Sequence, residues 1–532
     1  MMTKTGLGLV LLMTAGAITF AQVPKTIPLA DATIADFNAA FDAGTLTSEQ
    51  LVQMCLTRIR VYDRQGPSVR AVLTVNPKAV DIARQLDAER KTKGPRSPLH
   101  GIPVVLKDNI DTADMPTTAG SVLLEGSMAP DDAFLVKRLR DAGAVIMAKG
   151  NMSEFASGLA YSSLGGQMRN PHDLTRSPLG SSGGPAIAVA SVFAIIGVGT
   201  DTGGSIRNPA STTGVVGFKP TQGLISRDGI IPLALSFDTA GPFARSVYDA
   251  AVTLGVMSAI DPADSATKKG EGHLEADYTK YLKKDGLNGA RIGLARDFMG
   301  QDPDVDWVVE ASIASMKNAG ATVVDVRLPK WLLEAKGEFY DAIRYPEFTA
   351  QIADYLRTLG PKYPKNIDQL IARANEFNGL RPDGAGPNPN RWTLMKREAG
   401  SGGLDDYRYT SVRDHALPMV RALIEGILKS QELDAIVYPT LPKRPPLLTA
   451  PPDPPGGAAG TPANLASLTG FPDLIVPAGF TGDGLPVGLS FFGPAFSEPK
   501  LLAFGYSFEQ ATHAWRLPVH TPRLQAEAIR LP

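Results

Sequence analysis

One cysteine, six histidines and no excess of charge of either sign define what this 532-residue chain lacks. A single thiol, Cys55, closes no internal disulfide, so stability has to come from core burial. The 53 basic and 54 acidic side chains nearly cancel, which removes the electrostatic surplus that grips a nucleic-acid backbone or an anionic bilayer. The histidines never pair at ligand spacing and His-Glu-x-x-His does not occur, so a metal centre is not expected. A Walker phosphate loop is absent as well. What the chain has in quantity is turn-formers: 53 glycines and 43 prolines, well above the average share of about 12%. Much of it must therefore be shaped loops around a core, and loops of that kind carry sites.

The first residues read as an export leader. Lys4 precedes an almost wholly apolar run, Gly6 to Phe20, and Thr19-Phe20-Ala21 offers small residues where a signal peptidase cuts. The expected division is residues 1–21 as signal peptide and 22–532 as one folded domain, placed in the periplasm or secreted. The run of about 15 apolar residues falls short of the roughly 20 that span a bilayer.

Further on, Thr47 to Gln50 forms a capping box, and Leu51, Cys55, Ile59 and Tyr62 recur at helical spacing, which makes Cys55 a core thiol. Short apolar runs then alternate with helical patterns. Ile102 to Leu106 and Ala144 to Ala148 read as buried strands, with a helix between them that Asp132 can cap and Gly143 stops. Ala194 to Val198, Ala435 to Tyr438, Leu474 to Val476 and Leu485 to Phe492 read as further strands, Pro185 to Val192 and Lys500 to Thr512 as helices. This predicts an α/β fold: one large mixed, largely parallel β-sheet covered by α-helices on both faces. Leu380 to Gly403 and the proline-dense Pro439 to Pro462 are expected to be irregular, the second as a rim loop.

The chemistry concentrates in two Gly/Ser-rich turns, Gly180-Ser181-Ser182-Gly183-Gly184 and Gly199-Thr200-Asp201-Thr202-Gly203-Gly204-Ser205. Glycines just before Ser205 let consecutive backbone N–H groups face one point, where they can stabilise an oxyanion formed by attack of the Ser205 hydroxyl. A serine needs a base to take its proton, and no histidine stands near. Lys107 is the candidate. It ends the apolar run Ile102-Pro103-Val104-Val105-Leu106, and burial there would lower its pKa enough for a neutral amine to accept a proton.

Lys107 in His-Gly-Ile-Pro-Val-Val-Leu-Lys-Asp-Asn, followed by the two turns and Ile206-Arg207, resembles the amidase signature family. The likeness continues through Gly217-Phe218-Lys219-Pro220-Thr221, Asp238-Thr239-Ala240-Gly241-Pro242 and Asp483-Gly484-Leu485-Pro486-Val487-Gly488. With the leader, Tyr62 to Pro67 and Ser226 to Pro232 make the chain most similar to exported bacterial peptide amidases of that family. The resemblance implies a Ser-Ser-Lys triad. Ser205 is the nucleophile, Ser181, held by a cis peptide bond, relays the proton, and Lys107 is the final base. It also implies an oxyanion hole from the N–H groups of Thr202, Gly203 and Gly204, support from Ser182, Asp201 and Arg207, and no metal or organic cofactor. The substrates it suggests are C-terminal amides of peptides or related small amides.

Two residues depart from the family pattern, Leu179 where glycine often stands and Pro185 where a small residue is usual. His100 belongs to a structural turn in the family. The rival functions are an aryl acylamidase, carbamate or ester hydrolase on the same site, an A-type amidotransferase component, and a non-catalytic binding protein. Nucleic acid is not an expected partner, nor is a membrane beyond export; oligomeric state is left open.

Overall fold

The computed structural model describes residues 26–377, 388–450, 460–525 and 527–532. The expected leader, residues 1–21, lies outside them. The strands run β1 (Thr26–Pro28), β2 (Val72–Val75), β3 (Pro103–Lys107), β4 (Val145–Gly150), β5 (Tyr161–Ser162) and β6 (Gly166–Gln167). Then come β7 (Ile196–Asp201), β8 (Val216–Lys219), β9 (Thr239–Ala244), β10 (Arg291–Ala295) and β11 (Thr322–Val326). The last are β12 (Ala435–Pro439), β13 (Asp473–Phe480), β14 (Pro486–Phe492) and β15 (Ala528–Arg530).

Eleven of them form one sheet in the order β11-β10-β12-β14-β13-β8-β9-β7-β3-β4-β2, while β1 pairs with β15 and β5 with β6. The sheet is mixed and flanked by helices, as expected. It is not largely parallel. Only β10 with β11 and β12, and β3 with β4 and β7, run parallel; the other six neighbouring pairs are antiparallel. The clearest cause is the tight turn after Phe480, where Gly484 N–H donates to Thr481 O and Thr481 N–H to Leu485 O, both at 2.9 Å. A link that short admits only a hairpin between β13 and β14, whereas the strand–helix–strand rhythm that points to parallel pairing holds around β3, β4 and β7.

Helix Ser48–Tyr62 begins at the expected capping box, with Leu51, Cys55, Ile59 and Tyr62 buried. Strand β3 is apolar because it lies between β4 and β7: Val104, Val105 and Leu106 are wholly buried, each burial worth about 2 kcal/mol. Helix Gly183–Ala190 lies close on β7. A Cβ on Gly197 would approach Pro185 O to 2.9 Å, and one on Gly199 would approach Ser182 Oγ to 2.8 Å. Pro185 sits in the first turn of that helix, where its missing N–H costs nothing.

Other local expectations change. Helix Phe134–Asp141 is preceded by Ala133 without a side-chain cap, because the Asp132 carboxylate accepts from Ala113 N–H (2.9 Å) and pairs with Arg140. The supposedly irregular Leu380–Gly403 contains helix Pro389–Ala399, capped by Asn388; its residues 380–387 lie outside the described ones. Within Pro439–Pro462 the described part does act as a rim: Ser177 N–H donates to Pro446 O (2.9 Å) and Leu448 N–H to Thr175 O (2.8 Å). Residues 451–459 lie outside the described ones.

Candidate active site

Parallel pairing of β3 with β7 aligns Leu106 with Val198, so the carboxyl ends of both strands reach the same side of the sheet. Lys107 ends β3, and Thr200-Asp201 end β7 just before the turn that carries Ser205. Open sheets place their ligands beyond such strand ends. Helix Gly183–Ala190, seated on the glycines of β7, brings Ser181 and Ser182 from the other turn to the same place.

Lys107 has no exposed side-chain surface. Its Nζ donates to Ser181 Oγ and Thr200 Oγ1, both at 2.7 Å, and to Thr200 O at 3.2 Å. Asn109 Nδ2 donates to the same Thr200 hydroxyl at 3.1 Å. Burial pulls the lysine pKa from 10.5 down to about 7, against the opposing pull of the Asp201 and Asp238 charges. An amine in that range is poised to exchange a proton near neutral pH.

The Gly180–Ser181 peptide bond is cis, as the family resemblance implies. Ser182 N–H donates to Ser205 O (3.2 Å) and Ser182 Oγ–H to Thr200 O (3.0 Å), tying the two turns together. Ser205 is half-buried, and no described residue hydrogen-bonds its hydroxyl. The structure thus joins Lys107 to Ser181 and places the Ser205 turn against Ser182, without a bond between the two catalytic candidates Ser181 and Ser205.

Asp201 organises the turn. Its carboxylate accepts from Gly204 N–H and Ile206 N–H, both at 2.9 Å, and from Arg207 Nη2 at 3.0 Å and Nε at 3.2 Å. Burial alone would push this carboxyl up, but Arg207 outweighs it and holds the group below its usual range. One expectation changes in consequence. The Gly204 N–H is taken by Asp201, so it does not face the expected oxyanion position. The N–H groups of Thr202, Gly203 and Ser205 have no partner among the described residues.

Sequence reasoning missed several members. Thr200 lies inside the Gly-Thr-Asp-Thr-Gly-Gly-Ser block and Asn109 two residues past Lys107, so proximity in the motif was the available signal. Asp238 accepts from Thr202 Oγ1–H (2.5 Å), Leu233 N–H (2.8 Å) and Ala234 N–H (3.0 Å), and burial raises its pKa to about 6. Arg207 also donates to Ser467 Oγ (3.1 Å) and faces Asp473 at 3.7 Å; nothing local in the sequence announces that long-range contact. His100 is away from this constellation, accepting from Arg96 N–H and contacting Leu86 O. Among the described residues no three His, Cys, Asp or Glu side chains gather as metal ligands.

Space adjoins the cluster on two sides. Asn109, Ala156, Thr200, Thr202, Leu233 and Asp238 line a small pocket next to the Thr200 hydroxyl. Leu159, Leu179, Gly180, Pro446 and Leu447 line an open cleft beside the cis bond. Leu179 holds φ +57°, the left-handed region where a side chain costs roughly 1–2 kcal/mol and glycine nothing, which accounts for the family's usual glycine there.

Residues 50–502 match the Amidase family. The chain belongs to that family. Its fold superposes on the peptide amidase of Stenotrophomonas maltophilia with a TM-score of 0.84 at 41% identity, over 92% of this chain and 99% of that one. An amidase-family protein of Bacillus anthracis follows at 0.82 and 34% identity, covering 92% of each chain. Among curated relatives, the A-type component of the glutamyl-tRNA(Gln) amidotransferase of Halorhodospira halophila is 36% identical, over 90% of this chain and 97% of its own. A probable amidase of Arabidopsis thaliana is 34% identical over 94% of both. This amidase-family protein is therefore a hydrolase of carbon–nitrogen bonds other than peptide bonds.

Proposed function

We propose that the chain is an exported amidase that hydrolyses carboxamides through an acyl-enzyme on Ser205, its substrates being C-terminal amides of peptides or related small amides. The observation that carries this is Lys107, fully buried, depressed to about 7 and 2.7 Å from Ser181 beside the Ser205 turn. Neutral Nζ accepts the Ser181 proton as Ser181 Oγ accepts the Ser205 proton, and Ser205 Oγ attacks the amide carbon. The N–H groups of Thr202, Gly203 and Ser205 receive the negative oxygen. The relay returns the proton to the departing amine; water activated by the same pair then releases the acid. Catalytic hydrogen bonds often shorten only once substrate is bound, which accommodates the missing Ser181–Ser205 bond.

The likeness to a peptide amidase supports the substrate class, and Lys4 with the apolar run Gly6–Phe20 supports export. The test is ammonia release from peptide C-terminal amides, free amino acid amides and anilides, measured side by side, with carbamates and esters as further substrates. Ser205→Ala is expected to abolish turnover and fluorophosphonate labelling; a folded Ser205→Ala protein with full activity removes Ser205 as nucleophile. Lys107→Ala and Ser181→Ala are each expected to lose at least about 100-fold. The relationship to A-type amidotransferase components makes a second reading concrete. Activity that depends on partner proteins would favour it, and no labelling of folded protein would favour a binding protein.

A further inference from the structure

Two polar side chains from distant parts of the sequence converge on Gly203 without a hydrogen-bond partner among the described residues. A Cβ built on Gly203 would lie 2.7 Å from Tyr340 Oη and 3.0 Å from Asn464 Oδ1. Tyr340 comes from helix Lys330–Thr358, Asn464 from the residue before helix Leu465–Thr469. Neither side chain makes a hydrogen bond to any described residue.

Both are nonetheless held in place. The Tyr340 ring stacks on buried Phe237, centroids 5.3 Å apart and planes 17° from parallel. Asn464 is buried and has φ +68°, with its carbonyl accepting from Leu468 N–H (2.8 Å). At the start of a helix an asparagine side chain ordinarily caps the free N–H groups. Here it does not, and it points at the catalytic turn instead. Rigid polar groups left unpaired at a site are what a ligand completes, because an unmet donor or acceptor that loses water costs free energy.

We propose that Tyr340 and Asn464 form a recognition pair for the secondary amide adjoining the scissile carboxamide. The phenol donates to its C=O, and Asn464 Oδ1 accepts from its N–H. This rests on the amidase reading and sharpens it: the favoured substrate is an N-acylated amino acid amide, and a free amino acid amide lacks the carbonyl that the phenol would meet. Burial keeps the phenol protonated, raising its pKa above the usual 10.0.

The experiment compares N-acetyl-leucinamide, N-acetyl-N-methyl-leucinamide and leucinamide, with kcat/KM measured for the wild type, Tyr340→Phe and Asn464→Gly. Glycine keeps the backbone conformation of position 464. The wild type should prefer N-acetyl-leucinamide over each of the others by about tenfold, the worth of one neutral hydrogen bond. Tyr340→Phe should lose about tenfold more on the acetylated amides than on leucinamide. Asn464→Gly should remove the discrimination against the N-methyl compound.

Equal losses on all three substrates, or a wild type indifferent to N-methylation, would overturn the pair. The N-methylation comparison needs no variant, so a misfolded Tyr340→Phe protein does not rescue the idea. Fluorophosphonate labelling of Ser205 reports separately on the catalytic reading. Labelled enzyme without discrimination defeats the pair alone, whereas unlabelled and inactive wild type defeats both.

Discussion

Replacing Lys107 by methionine isolates the cost of burying an amine at the end of β3. Methionine follows the lysine stem without its charge. In the folded protein Lys107 gives up its proton near pH 7, in the unfolded chain near its ordinary 10.5. Between those values the unfolded state binds one proton more, so stability rises with pH by about 1.4 kcal/mol per unit. Below pH 7 both states are protonated and the wild type carries the full penalty; above 10.5 it carries none. Lys107→Met removes the penalty, so its stability advantage should be greatest at pH 6 and smaller by about 3 kcal/mol at pH 9. Lost hydrogen bonds to Ser181 and Thr200 subtract an amount that changes little with pH. Buried Glu154 and Asp111, at about 7, titrate in both proteins and cancel in the difference, whereas Asp238, at about 6 and acting on Lys107 through its charge, is ionised across the pH 7.5 to 9 comparison. Urea unfolding of the two proteins in parallel at pH 6, 7.5 and 9 measures it. A difference that is flat, or that widens with pH, would show that Lys107 is not a depressed, buried amine.

In the proposed mechanism the same neutral amine sets the acid limb of activity. kcat/KM should fall about tenfold for each pH unit below about 7, and a limb near pH 4 would assign the base to a carboxylate. Gly203→Ala places a methyl against Tyr340 Oη and Asn464 Oδ1. It should cut kcat by about 100-fold while the circular dichroism spectrum stays unchanged, and full activity would show that the turn tolerates displacement.

The stretch from Lys107 to Arg207 was readable because the contacts are made by consecutive residues of three short motifs, each fixed by glycine or by the end of a buried strand. The amphipathic helix at Ser48–Tyr62 was readable for a similar reason: cap and periodicity agree locally. Strand β9 was harder. Thr239-Ala240-Gly241-Pro242-Phe243-Ala244 carries a Gly-Pro pair that disfavours an inner strand, yet it lies between β7 and β8, where a Cβ on Gly241 would run into Phe218 O. Close backbone approach selects glycine there, and that is a tertiary fact. Gly204 shows the same limit. Its place before Ser205 suggests an oxyanion donor, but the Asp201 carboxylate claims its N–H. Tyr340 and Asn464 carried no signal at all, since their relevance comes only from where two remote helices begin and pass.

The seating of helix Gly183–Ala190 on Gly197 and Gly199 divides the protein's capacity for change. The floor beneath Ser181 and Ser182 has no room for even one extra methyl at Gly199, so variation that keeps the reaction is steered outward. It can accumulate in Leu159, Leu179 and Leu447, which border the open cleft, two of them with nearly half their surface exposed. A library aimed at new amides belongs on that border, while the hydrolytic machinery behind it stays fixed.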